Sequence, residues 1–390
     1  MKVLMIAPYP FPGCSIRGGV ESVTYNLMEG FKAFPNVSIQ VLSICQNKDD
    51  ELSISPNIIV RYIKAQKSNR KAELLKHIRP LVLEIDRQWQ PDIIHLQGNG
   101  SMFLLAHSSL SEKMVVTQHG IIKEEMKCCK KLRTKLNMFI ALMIECSKRK
   151  YVKNWIFISK YNYYLSSQFI QDGQIHYKQI YNPVNPRYFI DTPLIKTEII
   201  KLIFVGRIIP RKGISDLLKS IVLGNLSSKI ELHVVGGFED VSYEQEVKSY
   251  IHSNNLSDCI IIHGWKTADE IIEIEKECHV LILPSHQETL PCVIAEAMAM
   301  GKIVLASAIG GIPEMIVDNK TGFLFSHGNT EQIAQLIDNV RKMSLVGRDK
   351  IGKAAKQRAF NLYAPISVAA SHIEFYKNII KSKKEECCNL

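Results

Sequence analysis

The chain has 390 residues, 46% of them apolar, and a formal charge of +11 from 49 basic and 38 acidic side chains. That is enough apolar material for two ordinary domains with real cores, and no stretch approaches the roughly 20 apolar residues that cross a bilayer. Ten cysteines without one C-x-x-C pair argue against a disulfide scaffold and against metal-ligand spacing, leaving reduced thiols.

The first half alternates strand and helix signals. KVLMIAP, residues 2–8, is an apolar run followed by prolines and a glycine, which reads as a first buried strand and not as a signal peptide. GGVESVTYNLMEGF follows with helical spacing and with Gly18 and Gly19 at its mouth. Further strands are expected at SIQVLSIC, NIIVRYI, DIIHLQG, KMVVTQHG, NWIFIS and HYKQIYNP. Helical patterns lie between them, among them RKAELLKHIRPLVLEIDRQW, interrupted at Pro80, and KYNYYLSSQF. Short apolar runs alternating with helices predict a parallel sheet covered on both faces. Ligands of such sheets bind beyond the C-terminal strand ends, where Gly18, Gly19 and His119 fall. His95, in DIIHLQG, is assigned a structural role.

Residues 123–153 hold ten Lys/Arg against three Glu and carry +7 of the net charge. Lys130, Lys131, Arg133 and Lys135 precede an apolar centre, Leu136 to Ile144, and Lys148, Arg149 and Lys150 follow it. This basic, partly amphipathic helical region has two readings of equal weight: contact with an anionic membrane face or anionic acceptor, or a solvated surface around a core segment. Nucleic acid is a weaker third, because stacking aromatics are missing.

Three prolines within YNPVNPRYFIDTPLIKTE, residues 181–198, mark an interdomain linker. The expected division is 1–185, 186–363, and a tail 364–390 that reads as a final helix; the pattern leaves open whether it packs on the first domain. After the linker the alternation restarts with KLIFVGR, ISDLLKSIVLG, ELHVVGG, a helix near YEQEVKSYIHSN, and CIIIHGW. TADE then reads as a capping box, followed by HVLILPS, a helix and KIVLAS. A second doubly wound unit is predicted.

The densest chemical signal is PSHQETLPCVIAEAMAMGKIVLASAIGGIPE, residues 284–314. Its helix opens at Pro291 and closes at Gly301. Glu296 is the only polar side chain among Cys292, Val293, Ile294, Ala295, Ala297, Met298, Ala299 and Met300. An all-apolar helix is a buried one, so this carboxylate is expected to leave bulk water and to need a polar partner. Glu288 stands eight residues earlier, at the helix mouth where free N–H groups attract anions. In VGRIIPRKG, residues 205–213, Arg207 and Lys212 follow a buried strand, placed to hold a diphosphate and neutralise charge as it departs.

With these motifs the chain resembles glycosyltransferase family 4, the retaining, nucleotide-sugar-dependent transferases of the GT-B fold. The resemblance runs through GGVES, VVTQHG, NPVNPRYF, VGRIIPRKG, the E-x7-E segment ETLPCVIAEAMAMGKIVLAS, and GGIPEMIVDNKTGFLF. It implies two Rossmann-like α/β domains facing across a cleft. It implies that Arg207 and Lys212 bind the donor diphosphate, that Glu296 holds the ribose hydroxyls and that Glu288 contacts the transferred sugar. The backbone amides of Thr289 and Leu290 would lie near sugar and phosphate. Gly18 and Gly19 would let their loop approach the phosphate, His119 would face sugar and acceptor, and Trp265 would border the base, with His263 in the core or the pocket wall. The donor would be a nucleotide diphosphate sugar, a UDP-sugar by default, with no cofactor and no metal, since no D-x-D triplet occurs. No side chain stands out as the general base.

The acceptor expected from family habit and the basic segment is lipid-linked or a growing polysaccharide, met in the cytoplasm by an enzyme peripheral on the inner membrane face. Two other readings are weighed. Another GT-B enzyme, an epimerase or a phosphorylase, is one; a phosphorylase would need a pyridoxal-binding lysine in a much longer chain. A non-catalytic GT-B binding subunit is the other, opposed by intact Arg207, Lys212, Glu288 and Glu296.

Overall fold

The computed structural model describes the chain except residues 15, 17, 46–47, 65–73, 99, 130–131, 168–174, 194 and 389–390. Lys130, Lys131, the start of the helix predicted from residue 70 and the end of the one predicted from residue 160 therefore lie outside the described residues. The chain divides into two units, one of Met1–Pro183 with Ala364–Leu390 and one of Val184–Tyr363.

The first unit is built on eight strands: β1 (Lys2–Ile6), β2 (Ser38–Cys45), β3 (Asp50–Ser55), β4 (Ile58–Lys64), β5 (Ile93–Gln97), β6 (Met114–Gln118), β7 (Asn154–Phe157) and β8 (His176–Gln179). Their order is β3-β4-β2-β1-β5-β6-β7-β8. β1 pairs parallel with both β2 (Lys2↔Ser38) and β5 (Val3↔Ile93), and every other pair is parallel except β3 with β4. β5 and β6 are buried at every position and β1 at all but its first, as strands covered on both faces must be. The expectation of a wholly parallel sheet is corrected at one edge: Pro56 and Asn57 turn the chain back, and DELSIS adds an antiparallel strand without an apolar run. The described helices between strands are α1 (Gly19–Phe31), α2 (Arg79–Trp89), α3 (Ile122–Cys128), α4 (Leu132–Lys148) and α5 (Lys160–Ser167). Pro80 sits in the first turn of α2, where its missing N–H costs nothing, and a π-helical turn, Leu74–Ile78, precedes it.

The C-terminal helix, Pro365–Cys388, belongs to this unit because its apolar face completes the core. Val368, Ala369, Ile373, Phe375, Tyr376 and Ile379 pack with Val3, Met5, Leu27, Met28 and Phe31. Gly30 admits this packing; a Cβ there would stand 2.1 Å from the Pro365 carbonyl oxygen. His95 is fully buried between the Tyr376 hydroxyl (2.5 Å from Nδ1) and the Thr117 hydroxyl (2.7 Å from Nε2), which ties this helix to the sheet.

The second unit has six parallel strands: β9 (Ile200–Val205), β10 (Ile230–Val235), β11 (Ile260–Gly264), β12 (Val280–Leu283), β13 (Ile303–Ser307) and β14 (Phe323–Phe325). The order β11-β10-β9-β12-β13-β14 runs outward from the first strand of the unit, then back past it. This is the doubly wound pattern, with its reversal between β9 and β12. Helices α6 (Ile214–Leu223), α7 (Val241–Ser253), α8 (Ala268–Lys276), α9 (Cys292–Ala299), α10 (Ile312–Met315), α11 (Thr330–Lys342) and α12 (Leu345–Tyr363) complete it. Thr267 and Glu270 form the capping box that TADE announces, each accepting from the other's backbone N–H at 3.3 and 2.8 Å. Among the described residues no helix is long and apolar enough to cross a membrane.

Candidate active site

The reversal between β9 and β12 places two loops side by side. β9 delivers Gly206, Arg207 and the single turn Pro210–Lys212; β12 delivers the segment from Pro284 to Pro291 and so the start of α9. Gly213 joins the loops, with φ of +74° and its Cα so close to Pro284 that a Cβ would stand 1.9 Å from the carbonyl oxygen. The His286 N–H donates to the Arg211 carbonyl at 2.8 Å and Arg211 Nη1 donates to the Gln287 carbonyl at 3.3 Å. We expect Gly213→Ala to destabilise the protein by about 1–3 kcal/mol. An unchanged denaturant midpoint would count against the clamp.

With the loops held together, Lys212 Nζ donates to Glu288 Oε1 at 2.5 Å and Ser285 Oγ donates to the same oxygen at 2.8 Å. Lys212 is 14% exposed and Glu288 8%, so the charges meet largely out of water. Arg207 makes a different contact: Nη1 donates to Glu239 Oε1 at 2.9 Å, and both residues are half exposed. Exposed pairs contribute about 0–1 kcal/mol, so this pair opens at small cost.

Glu296 lies in α9 among buried Ile294, Ala295, Ala297, Met298 and Ala299. Its side chain is partly buried, and the removal of water pushes its pKa up to about 7. The polar partner expected for it is not supplied by protein: among the described residues nothing donates to its carboxylate. Glu275 on α8, 2% exposed, is pushed up to about 8 by burial and then by the charge of Glu296. Thr289 and Leu290 lead into α9, and neither amide donates to another protein group among the described residues, as befits the open end of a helix. Trp265, just past β11, is 67% exposed and lies against Gly237, where a Cβ would fall 1.9 Å from the indole Nε1. On the paired strands β10 and β11, His263 Nε2 and His233 Nδ1 are 2.9 Å apart in stacked rings.

The other predicted residues belong to the first unit. Gly18 is the N-cap of α1 and Gly19 its first residue; a Cβ on either would meet nothing within 4 Å, so the protein itself does not demand glycine there. His119 follows β6, and its Nε2 lies 2.6 Å from Gln97 Oε1 at the end of β5. Burial lowers its pKa to about 4, so the ring is neutral at ordinary pH. The structure thus brings Lys212 and Glu288 into contact and sets Arg207, Thr289 and Leu290 on the loops at the same switch point. Ser285, Glu239 and Gln97 were missed by motif reading. Ser285 sits in PSHQE, three residues before Glu288, the single local signal that was available.

Two family descriptions match the chain: "Glycosyltransferase Family 4" over residues 17–167 and "Glycosyl transferases group 1" over residues 189–358. An uncharacterized glycosyltransferase of Methanocaldococcus jannaschii is 25% identical over 363 residues, 90% of this chain and 92% of that protein. The lipopolysaccharide 1,2-N-acetylglucosaminetransferase of Salmonella typhimurium is 33% identical over 186 residues, 45% of this chain and 48% of that enzyme. Among solved structures, sucrose-phosphate synthase from Thermosynechococcus elongatus superposes with a TM-score of 0.81 at 17% identity, covering 98% of this chain and 99% of that one. Anabaena HepE in complex with UDP and glucose gives 0.69 at 18% identity, covering 96% and 98%. Two Rossmann-like units with these matches define a glycosyltransferase of the GT-B class. The chain belongs to glycosyltransferase family 4.

Proposed function

We propose that this glycosyltransferase moves a hexosyl group, with retention at the anomeric carbon, from a UDP-sugar to a lipid-linked or polysaccharide acceptor in cell-surface glycan synthesis. The observation that carries the donor half is the Lys212–Glu288 pair beside the mouth of α9, whose Glu296 carboxylate meets no hydrogen-bond donor among the described residues. A diphosphate needs cations, and ribose needs an acceptor for its hydroxyls; the switch point offers both.

In this reading Lys212 and Arg207 hold the diphosphate and stabilise the charge that grows as it leaves, without a metal. The amides of Thr289 and Leu290 add the partial positive charge of the helix end. Glu296 accepts from the ribose, Glu288 from the transferred sugar, and Trp265 stacks on the base. Gly18 and Gly19 leave the mouth of α1 open to a ligand. His119, neutral and oriented by Gln97, positions sugar or acceptor hydroxyls. The acceptor attacks from the face of the departing diphosphate. The Salmonella relative, by its name, acts on lipopolysaccharide, and the Anabaena structure by its title holds UDP. The acceptor half also rests on the basic segment 123–153, for which a peripheral contact with an anionic membrane is proposed, with no role for nucleic acid.

The test is a thermal-shift screen of nucleotide sugars followed by transfer assays in excess EDTA. A stabilising UDP-sugar is expected, with transfer unaffected by the chelator. Silence across all nucleotide sugars would favour a binding subunit, and loss of transfer in EDTA would overturn the metal-free reading.

A further inference from the structure

α4 is inside out. Of its 17 residues only Glu145 is fully buried, on the side where Arg149 and Gln118 meet it. Thr134, Asn137, Met138 and Ala141 face a cavity of about 420 Å³ at the strand ends of the first unit. The outward side is apolar: Leu132 is 83% exposed, Leu136 58%, Phe139 50%, Ile140 38% and Met143 56%. At about 100° per residue these five fall within an arc of about 100°. Arg133 and Lys135, both exposed, lie at the two edges of that arc. The apolar centre of this segment is therefore divided: Ile144 packs against the core, while Leu136, Phe139, Ile140 and Met143 face outward.

An exposed apolar stripe needs an occupant. We infer that the outward face of α4 inserts among the acyl chains of an anionic bilayer, with Arg133 and Lys135 at headgroup level, so that attachment is hydrophobic as well as electrostatic. Charge selects this occupant. The stripe is edged by cations within a segment carrying +7, which suits anionic lipid and repels a second copy of the same positive surface. Long basic side chains keep their charge in the headgroups while their stems lie along the apolar phase. The surface extends the peripheral contact of the proposed function, on which it rests, and adds what charge alone does not imply: binding that outlasts salt.

The experiment is flotation of the whole protein with phosphatidylglycerol and with phosphatidylcholine vesicles, without donor or acceptor. Wild type is expected on phosphatidylglycerol vesicles, with part of the binding kept at about 1 M salt, where the screening length falls to about 3 Å. Leu136→Ser/Phe139→Ser/Met143→Ser is expected to bind at least tenfold more weakly and to lose the salt-resistant part. Arg133→Gln/Lys135→Gln is expected to lose the salt-sensitive part. A Phe139→Trp protein should show a blue-shifted emission with vesicles. Since the substituted side chains are exposed, the triple variant should keep the thermal shift given by the donor, so failed attachment is distinguishable from a failed transferase reading. Equal binding by the triple variant and wild type would overturn the insertion. So would absence of vesicle binding with a concentration-dependent dimer that the triple substitution abolishes.

Discussion

Replacing Lys212 with alanine should lower the turnover number for sugar transfer by about 100- to 1,000-fold, the range for removing one preorganised group that meets developing negative charge. Substrate affinity should change less, because the interaction strengthens as the diphosphate leaves. The structure adds a complication and a control. Lys212 is the partner of Glu288, which is 8% exposed, so truncating it strands a carboxylate, a loss of about 3–5 kcal/mol for a buried pair. Lys212→Met with Glu288→Gln removes both charges and should recover most of that stability while leaving turnover low. Were the double variant to regain near-normal turnover, Lys212 would be a structural ion and not a catalytic one. Arg207→Ala should also cost turnover heavily, with less effect on stability because its pair with Glu239 is half exposed. Near-normal transfer by that variant would remove Arg207 from the diphosphate site.

The second large effect is on donor binding and concerns Glu296. Its pKa, about 7 without ligand, is raised from an ordinary value of 4.5 by loss of water. A raised carboxylate means that the folded protein holds a proton the unfolded chain releases. Stability contributed by this group therefore falls as pH climbs from about 4.5 to about 7. Donor binding runs the other way, because hydroxyls donate to the ionised form. Affinity for a UDP-sugar should fall about 50-fold between pH 7 and pH 5, the protonation cost for a group with a pKa near 7. Glu275, pushed up to about 8, is mostly protonated through that window and does not reverse the slope. Glu296→Gln should bind more weakly at pH 7 and lose the slope. Titration calorimetry across this range decides it, and a wild-type affinity independent of pH would remove Glu296 from the ribose site.

Much of this was legible in the chain for a physical reason. Parallel strands buried on both faces leave unbroken apolar runs, so KVLMIAP, DIIHLQG, HVLILPS and KIVLAS announce themselves. The residues that follow such runs sit at strand ends by necessity. Arg207, Lys212 and Glu288 are placed by it on the loops after β9 and β12, where the structure has them. What escaped it depends on distance in sequence. β3 was missed because DELSIS is a half-exposed edge with no apolar run. Glu239 was missed because its partner Arg207 is 32 residues away. α4 kept two readings because periodicity reveals that a helix has an apolar face and says nothing about what covers it. The contact between Lys212 and Glu288 depended on Gly213, whose need for glycine arises from a loop 71 residues further on.

The return of the last helix to the first unit has a consequence for how the protein is made. On the ribosome the residues up to Pro183 emerge without Val368, Ile373 and Tyr376, which fill their core, while Val184–Tyr363 is complete in sequence before the final helix appears. The second unit is therefore free to fold while the first waits, its apolar face open to chaperones or to mispairing. Birth order along the chain and order of completion are reversed in this protein.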